Sequence, residues 1–348
     1  MSIKNSVQEA MRLPPLPTIR DILRLYRLRA LRQLSQNFLM DQRLTDKIVK
    51  AAGKIKNSEV CEVGPGPGGI TRSILNRGPS RLIVVEKDKR FSPALDLLKD
   101  STSDGKMEII LGDVLNVDMS KMFSESKRRS WEERPPHIHI IGNLPFSVST
   151  PLIIRWLKAI SERKSAWSYG RTQLTLTFQK EVAERMIADI MSAQRCRLSV
   201  MCQNWCTVEH KFTIPGKAFV PKPDVDVGVV RFTPLVEPLV PLPFELVEKV
   251  VRTIFSFRQK YSIRGAETLF PIPVREKLGT EMYKLADLDP TIRPYQLTVE
   301  EFGRLCYAYC TICDRDPRLY RYNSRASREE RGDFEQLYED EQQIATVT

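Results

Sequence analysis

Residues 59–69 decide the fold class and read Glu-Val-Cys-Glu-Val-Gly-Pro-Gly-Pro-Gly-Gly. The first five residues have the pattern of a short strand, and the glycines and prolines after them predict a loop. A helix is expected to begin near Ile70. This order of strand, glycine-rich loop and helix is typical of α/β domains that bind a nucleotide.

The same alternation of strand and helix continues along the chain. Strand patterns recur at residues 81–85, 107–111, 137–141 and 173–178. Strands that alternate with helices indicate a parallel sheet, whose ligands lie beyond the carboxyl ends of the strands. Residues 205–213 and 225–232 predict two further strands, which could close the sheet as an antiparallel hairpin.

The glycine loop follows the first strand, and a polar residue lies at the end of each of the next three strands. Glu86 ends the second strand, Asp113 follows the third, and Asn143 follows the fourth. Because parallel strands end at one edge of the sheet, these residues are expected to converge on one crevice. The glycine loop, the two acids and Asn143 together indicate a binding site much more specifically than any one of them alone.

The glycine loop alone leaves the ligand open. Gly64, Gly66 and Gly69 have the G-x-G-x-x-G spacing, and an acid such as Glu86 about 20 residues further on binds a ribose diol in NAD, FAD and S-adenosylmethionine alike. Asp113 is placed to accept a hydrogen bond from an adenine amine, and the backbone N–H of Val114 is available to a ring nitrogen. Prolines are unusual in a loop that cradles a pyrophosphate. We therefore favour the methyl donor over an NAD-dependent dehydrogenase, for which the chain offers no proton-transfer histidine.

The turn Asn143-Leu144-Pro145-Phe146 carries the second half of the predicted site. Pro145 fixes its own φ, removes a backbone donor and pushes Leu144 towards an extended conformation. An amide side chain, free carbonyls and an aromatic ring together suit the amino group of a flat heterocycle. The alternative is a proline-containing loop whose phenylalanine belongs to the core.

Charge and composition indicate a polyanionic partner. The 348 residues carry a net charge of +11, and the last twenty hold seven acids and one arginine, which leaves +17 for residues 1–328. A body this basic suits nucleic acid. No apolar run approaches the ~20 residues that a membrane-spanning helix needs, so no membrane partner is expected.

The seven cysteines lack the spacing of a disulfide framework. Cys306, Cys310 and Cys313 share one helical face, but the single unpaired C-x2-C makes a zinc site much less favoured than buried thiols. We expect a reducing compartment and no metal.

The first 34 residues hold seven basic and two acidic residues. From Asp21 to Leu34, leucine and isoleucine recur at helical spacing, at Ile22, Leu25, Leu28 and Leu31. An Arg-rich, acid-poor amphipathic segment is typical of a mitochondrial transit peptide. The same helix could instead pack on the domain that follows, and both interpretations hold if cleavage occurs before it.

These motifs resemble, in order, those of the rRNA adenine N6-dimethyltransferases. The matching stretches are Gln36-Asn37-Phe38-Leu39, Glu62-Val63-Gly64-Pro65-Gly66-Pro67-Gly68, Glu86-Lys87-Asp88, Gly112-Asp113-Val114-Leu115, Asn143-Leu144-Pro145-Phe146, Phe178-Gln179-Lys180-Glu181-Val182-Ala183 and Ala218-Phe219-Val220-Pro221-Lys222-Pro223. The resemblance covers roughly residues 20–320 and, with the Arg-rich segment, is nearest to the mitochondrial branch. One departure is Val227-Gly228 where the family usually has serine after Val225-Asp226.

The resemblance implies an α/β fold with a Rossmann-like, seven-stranded methyltransferase sheet, an antiparallel last hairpin and a small all-α C-terminal domain. It implies S-adenosylmethionine as the methyl donor and two adjacent adenosines in a hairpin of small-subunit rRNA as the substrate, each methylated twice. The donor would be held by Gln36, Leu39, Gly64, Glu86, Lys87, Asp113, Val114 and Asn143. Asn143, Leu144, Pro145 and Phe146 would form the catalytic turn, the protein would act as a monomer in the mitochondrial matrix, and the rRNA would be its partner.

Basic residues near the prolines and in the helical part are the candidate RNA contacts: Lys217, Lys222, Arg252, Arg258, Lys260 and Arg264. Phe255, Phe257 and Tyr261 interleave with the last four, as in a surface that combines stacking with phosphate contacts. The alternative is a solvated helix face whose aromatic rings belong to the core.

A different class of function also remains open. The mitochondrial relatives are described as transcription factors as well, so the chain could bind mitochondrial DNA and mitochondrial RNA polymerase, with or without methylation. The sequence favours the enzyme because every site motif is present.

Four segments are predicted. Residues 1–34 form the targeting segment and N-terminal helix, and residues 35–235 form the methyltransferase domain. A cluster of prolines at 234, 238, 241 and 243 marks the boundary to a helical RNA-binding domain at 236–322. Residues 323–348 are predicted to be an acidic disordered tail.

Overall fold

A computed structural model describes residues 16–30, 36–103 and 105–347. The chain divides into two compact units. The first consists of Met1–Glu184 and Cys206–Val236, and the second of Arg185–Trp205 and Glu237–Thr348. The second unit thus includes about twenty residues that the sequence assigned to the methyltransferase domain.

The described residues of the first unit form nine strands. They are β1 (Phe38–Leu39), β2 (Glu59–Val63), β3 (Arg81–Glu86), β4 (Met107–Leu111), β5 (Ile138–Gly142), β6 (Gln173–Gln179), β7 (Cys206–Ile214), β8 (Phe219–Val220) and β9 (Val227–Pro234). Its helices are α1 (Ile19–Leu25), α2 (Gln42–Ala51), α3 (Gly69–Leu75), α4 (Ser92–Asp100) and α5 (Phe146–Ser161), and the division between the units falls within α6 (Lys180–Ile187).

Seven of the strands form one sheet in the order β4-β3-β2-β5-β6-β9-β7. The first five are parallel to one another, and β9 pairs antiparallel with both β6 and β7. This confirms the five predicted parallel strands and the antiparallel closing hairpin. The remaining strands, β1 and β8, form a separate two-stranded ladder.

The parallel strands β2, β3 and β5 carry mostly apolar residues because both faces of the sheet are covered there. All five residues of β2 and of β5 are buried. The two strands approach so closely that a Cβ atom at Gly142 would lie 2.4 Å from Cγ2 of Val63 and 2.8 Å from its carbonyl oxygen. Glycine is therefore required at the carboxyl end of β5, immediately before the Asn143 turn.

The segment before the sheet is shorter as a helix than its leucine spacing predicts. Thr18 is the N-cap of helix α1 and forms a capping box with Asp21. The helix ends at Leu25, and Arg27 has a φ of +51°. Ile22 is fully buried, whereas the side chain of Leu25 is 66% exposed. Residues 1–15 and 31–35, which include most of the predicted targeting segment, lie outside the described residues.

The second unit is helical. Its helices are α7 (Arg197–Trp205), α8 (Phe244–Ile254), α9 (Ser262–Glu267), α10 (Arg275–Ala286), α11 (Val299–Arg315) and α12 (Arg328–Val347). Val247, Val250, Val251 and Ile254 form the predicted buried face of α8. No strand occurs among the described residues after Pro234, and none of the described helices is long and apolar enough to cross a membrane.

The acidic C-terminal segment forms helix α12, where the sequence predicted disorder. The ring of Phe334 lies 5.5 Å from that of Tyr322 and 5.9 Å from that of Tyr338. The Tyr338 hydroxyl donates a hydrogen bond of 2.6 Å to Asp316. These aromatic and polar contacts give an acid-rich sequence an apolar face on which a helix can pack.

The cysteines behave as small apolar residues. None of the seven, which all lie within the described residues, forms a disulfide, and Cys61, Cys202, Cys206, Cys306 and Cys313 are buried. Within the described ranges no group of three or more His, Cys, Asp or Glu residues could hold a metal ion. Burial in α11 raises the pKa of the Cys313 thiol to about 12, so that this group stays protonated.

Candidate active site

A cleft of about 730 Å³, measured with its open mouth, lies at the carboxyl ends of β2, β3 and β5. Its lining combines the glycine loop, Glu86 and the whole turn from Asn143 to Phe146. Gln36 and Leu39, which the family resemblance implies as donor contacts, line it from the segment around β1. Three of the four predicted strand ends therefore meet in one cavity.

The glycine loop adopts conformations that only glycine favours. Gly64, Gly66 and Gly68 have φ values of +69°, +54° and +89°. A Cβ atom at Gly64 would lie 3.3 Å from the side chain of Leu144. The loop after β2 is consequently in direct contact with the turn after β5, and a ligand on the loop would lie beside that turn.

Glu86 is held in the cleft by backbone donors. Its carboxylate accepts hydrogen bonds from the N–H of Gly66 at 2.9 Å and of Asp88 at 2.8 Å. The side chain is only 6% exposed, and burial raises its pKa despite these donors. A buried carboxylate at this place would gain stability from a cation or from hydroxyl donors.

Glu62 is a second buried acid in the cleft, and the sequence analysis gave it no role. It is 1% exposed, and Oε2 has no hydrogen-bond partner within the described part of the chain. Burial, together with the nearby Glu86 carboxylate, raises its pKa to about 8. The signal in the sequence was an acid in the middle of an otherwise apolar strand.

The third strand end is arranged differently from the prediction. Asp113 pairs with Lys87 at 2.8 Å and also accepts the N–H of Leu115 at 3.0 Å. The Lys87 hydrogen bond holds the pKa of Asp113 below its usual range. Lys87, Asp113 and Val114 do not line the cleft, so a ligand that used this carboxylate would have to share it with Lys87.

A hydrogen-bond network fixes Gln36 at the rim of the cleft. The Gln36 amide donates to Asp88 at 2.9 Å, and Arg90 pairs with the same carboxylate at 2.6 Å. Arg90 also donates to the carbonyl of Arg29 at 3.2 Å. Through these bonds, the segment that precedes β1 is attached to the strand end that carries Glu86.

The Asn143 side chain is held on both sides. The Thr177 hydroxyl donates to Asn143 Oδ1 at 2.7 Å, and Asn143 Nδ2 donates to the carbonyl of Asn37 at 3.3 Å. Leu144 is buried, and Pro145 precedes the first residue of α5. Phe146 is half-buried and lines the cleft.

Thr177 contacts Asn143 and is not among the site residues that the sequence predicts. It lies in β6, whose alternating polar and apolar residues gave no reason to single it out. In the structure β6 is central, and Thr177 is fully buried. A hydroxyl buried in a sheet must find a partner, which is the signal that could have pointed to it.

The candidate RNA contacts separate into exposed and structural residues. In the first unit, Lys217 and Lys222 are exposed. In the second unit, Lys260 and Arg264 are exposed, whereas Arg252 and Arg258 are half-buried. The exposed members can reach a phosphate, but Arg264 must first leave Glu267, with which it pairs at 3.2 Å.

Arg258 instead holds backbone carbonyls of its own unit. Its guanidinium donates to Arg195 at 3.0 Å and to Ala193 at 2.5 Å, and it lies 5.3 Å from the ring centre of Tyr295. The aromatic neighbours divide in the same way. Phe255 stacks on Phe302 in the core, while Phe257 and Tyr261 are 41% and 51% exposed.

Comparison with known proteins relates most of the chain to one family. The family model "Ribosomal RNA adenine dimethylase" matches residues 27–288. The Homo sapiens protein named dimethyladenosine transferase 1, mitochondrial, is 60% identical over 314 residues, which cover 90% of this chain and 90% of that protein. The Drosophila melanogaster protein of the same name is 52% identical, and the match covers 92% of this chain and 96% of that protein.

Two solved structures share the fold. The crystal structure of a dimethyladenosine transferase from Plasmodium falciparum has a TM-score of 0.62 and 22% identity, covering 79% of this chain and 98% of that one. The crystal structure of the 23S rRNA methyltransferase ErmE has a TM-score of 0.53 and 20% identity, and the match covers 78% of this chain and 98% of that one.

The structural role of Arg258 gives a test in the full chain. Arg258→Ala is expected to lower the free energy of unfolding by about 1–3 kcal/mol, because two carbonyls lose their donor. The matched control is the exposed Lys260→Ala, which should change it by less than about 0.5 kcal/mol. Urea denaturation of both variants measures the difference, and equal stabilities would refute the assignment.

Proposed function

The chain belongs to the ribosomal RNA adenine dimethylase family, and from this premise we propose how its cleft binds donor and target. The protein is an rRNA adenine N6-dimethyltransferase that uses S-adenosylmethionine. We propose two adjacent adenosines in a hairpin of mitochondrial small-subunit rRNA as its substrate. The observation that supports this best is the contact between the glycine loop and the Asn143 turn in one cleft.

The residues of the cleft fit S-adenosylmethionine. Glu86 would accept the ribose hydroxyls, and the glycine loop would pass beneath the amino-acid part, which Gln36 and Leu39 would cover. Glu62 has an unpartnered buried oxygen that suits a positively charged ligand. We propose that Lys87, Asp113 and Val114 meet the adenine edge. When bound, the donor supplies an electrophilic methyl group on a sulfonium centre.

The Asn143 turn would activate the target amine by orienting it. The nitrogen of an adenine amine is a poor nucleophile because its lone pair is delocalised into the ring. Asn143 Oδ1 and the Leu144 carbonyl would accept its two N–H groups, which favours a pyramidal nitrogen with a directed lone pair. Such orientation can supply roughly 7–11 kcal/mol of the barrier.

Phe146 and Pro145 would hold the base itself. A target adenine must leave its stack to reach a cleft of this kind. Stacking on an aromatic ring contributes about 1–3 kcal/mol per base, and the half-buried Phe146 lines the cleft beside the two acceptors. Pro145 has no N–H, so the turn presents acceptors to the amine without a competing donor.

The exposed cations are the proposed phosphate contacts. Lys217 and Lys222 serve this role in the first unit, and Lys260 and Arg264 in the second. The exposed rings of Phe257 and Tyr261 flank the latter pair in sequence and would stack on unpaired bases. We assign Arg258 to the proposed RNA surface only indirectly, through the backbone carbonyls of residues 193 and 195 that it holds, and Arg252 is half-buried.

The protein is mitochondrial, and we propose the matrix as its location, where small-subunit rRNA is assembled into ribosomes. We propose a monomer, with residues 1–34 as the import signal. A role as a transcription factor that contacts mitochondrial DNA and RNA polymerase is the alternative, and the test below separates the two.

The proposed roles predict separate defects in donor binding and in chemistry. Glu86→Ala should abolish binding of S-adenosylmethionine, whereas Asn143→Ala should lower methylation about 10²-fold or more with nearly unchanged RNA affinity, by analogy with the loss of one oriented polar group. Donor binding by calorimetry, hairpin binding and methyl transfer from labelled donor are the three measurements. The control is Ser147→Ala, at the exposed residue that directly follows the turn.

Full activity of Asn143→Ala would refute the acceptor assignment. If the wild-type protein binds promoter DNA or mitochondrial RNA polymerase and transfers no methyl group to the hairpin, the transcription-factor alternative replaces the enzyme.

The raised pKa of Glu62 predicts a pH dependence of donor binding. In the free protein the carboxyl is mostly protonated below its pKa of about 8. A cationic ligand stabilises the carboxylate, so binding releases a proton and affinity rises with pH. We expect the Kd for S-adenosylmethionine to fall between about pH 6 and about pH 8, by at most about tenfold per pH unit for one proton, and to level off above.

Glu62→Gln is the matched variant, because it keeps the shape and removes the titration. Its Kd should depend less on pH, and S-adenosylhomocysteine, which lacks the sulfonium charge, should show a weaker dependence on the wild-type protein. A wild-type Kd that is flat or rises with pH would contradict the assignment.

The import role of the N-terminal segment has a direct test. Residues 1–34 fused to a fluorescent reporter are expected to direct it to the mitochondrial matrix, and replacement of the segment's arginines by glutamine should abolish import, since the positive charge is the signal. Microscopy and protease protection of isolated mitochondria are the measurements. A reporter that stays outside mitochondria would show that the segment is not sufficient.

A further inference from the structure

We propose that Thr177 is a positioning residue for the methyl transfer, because its buried hydroxyl fixes the Asn143 carboxamide with one oxygen lone pair free for the target amine. This inference rests on the proposed function, in which Asn143 Oδ1 accepts an N–H of adenine. It adds a residue that contacts neither donor nor base.

The contact joins two neighbouring strands of the sheet. Thr177 lies in β6, and Asn143 follows β5, whose Gly142 is in register with Leu176. The Thr177 hydroxyl is 2.7 Å from Asn143 Oδ1, and the residue is fully buried. Because a carboxamide oxygen only accepts hydrogen bonds, Thr177 must be the donor.

The Asn37 carbonyl determines which way the carboxamide faces. Asn143 Nδ2 lies 3.3 Å from this oxygen, which is also an acceptor only. A flipped amide would place two oxygens against each other. Nδ2 therefore faces Asn37, and Oδ1 faces Thr177.

These two contacts leave a defined acceptor. A carboxamide oxygen has two lone pairs, of which Thr177 occupies one. The other remains for one N–H of the target amine, beside the Leu144 carbonyl for the second. Since the terminal torsion of an asparagine side chain is broad, the orientation depends on these partners.

Removal of the hydroxyl should therefore affect chemistry and spare donor binding. Without Thr177 as donor, the carboxamide can turn about its last torsion and present the acceptor at a wrong angle. Misplacement of reacting groups by about 1 Å can cost about 10²-fold in rate. The Thr177 hydroxyl bonds to Asn143, whereas Glu86 bonds to Gly66 and Asp88, so donor affinity should persist.

The test uses the full chain and an rRNA hairpin with the two adjacent adenines. Thr177→Val keeps the shape of the side chain and should lower kcat by about tenfold to 10²-fold. The Kd for S-adenosylmethionine and the KM for the hairpin should stay within about twofold of the wild-type values. A twofold change corresponds to less free energy than one hydrogen bond contributes. Thr177→Ser retains the donor and should restore kcat to within about threefold. Thr177→Cys, whose thiol is a weak donor, should lie between them and serves if the valine variant does not fold.

The control is Thr175→Val, a second buried threonine of β6 that is 1% exposed. Its kcat should stay within about twofold of the wild type, since it is in register with Ile141, two residues before Asn143. A Thr177→Val enzyme as fast as this control, or a Thr177→Ser enzyme as slow as Thr177→Val, would overturn the proposal. Absence of methylation by the wild-type protein is a different result, because it refutes the proposed function itself.

Discussion

The site depends on the central position of β2, which pairs in parallel with β3 on one side and β5 on the other. Val63 is in register with both Val85 and Gly142, so three strands end at the same level. The close approach of β5 to β2 excludes any side chain at Gly142. The glycine loop, Glu86 and Asn143 are therefore neighbours in space although they are far apart in sequence.

Electrostatics then distinguishes the two halves of the cleft. Glu62 and Glu86 are buried within the donor half, and burial raises the pKa of both. Glu86 accepts two backbone N–H groups, whereas Glu62 Oε2 has no hydrogen-bond partner among the described residues and its carboxyl is mostly protonated below about pH 8. A ligand with a positive charge and hydroxyl donors would satisfy both acids, which makes the cleft complementary to a sulfonium nucleoside. The acceptor half, in contrast, offers neutral oxygens, as suits an uncharged amine.

The sequence predicts the sheet well because its strands are buried on both faces and therefore stand out as apolar runs. It also places Glu86 and Asn143, since each directly follows such a run. It does not predict Thr177 or the two-sided hold on Asn143, because those contacts depend on which strands become neighbours. The pairing of Lys87 with Asp113 and the carbonyl contacts of Arg258 were missed for the same reason. A basic residue has the same appearance in a sequence whether it meets a phosphate or its own backbone.

The arrangement of acceptors also bears on why the reaction stops at two methyl groups. An unmodified adenine amine has two N–H groups for the two oxygens at Asn143 and Leu144. After one transfer a single N–H remains, and after the second none does. A polar group left without its partner in a dry site costs about 1–3 kcal/mol. Each transfer would thus weaken the hold of the turn on the base, and the dimethylated product would leave two unpaired acceptors behind. The same oxygens that orient the substrate would in this way favour release of the product.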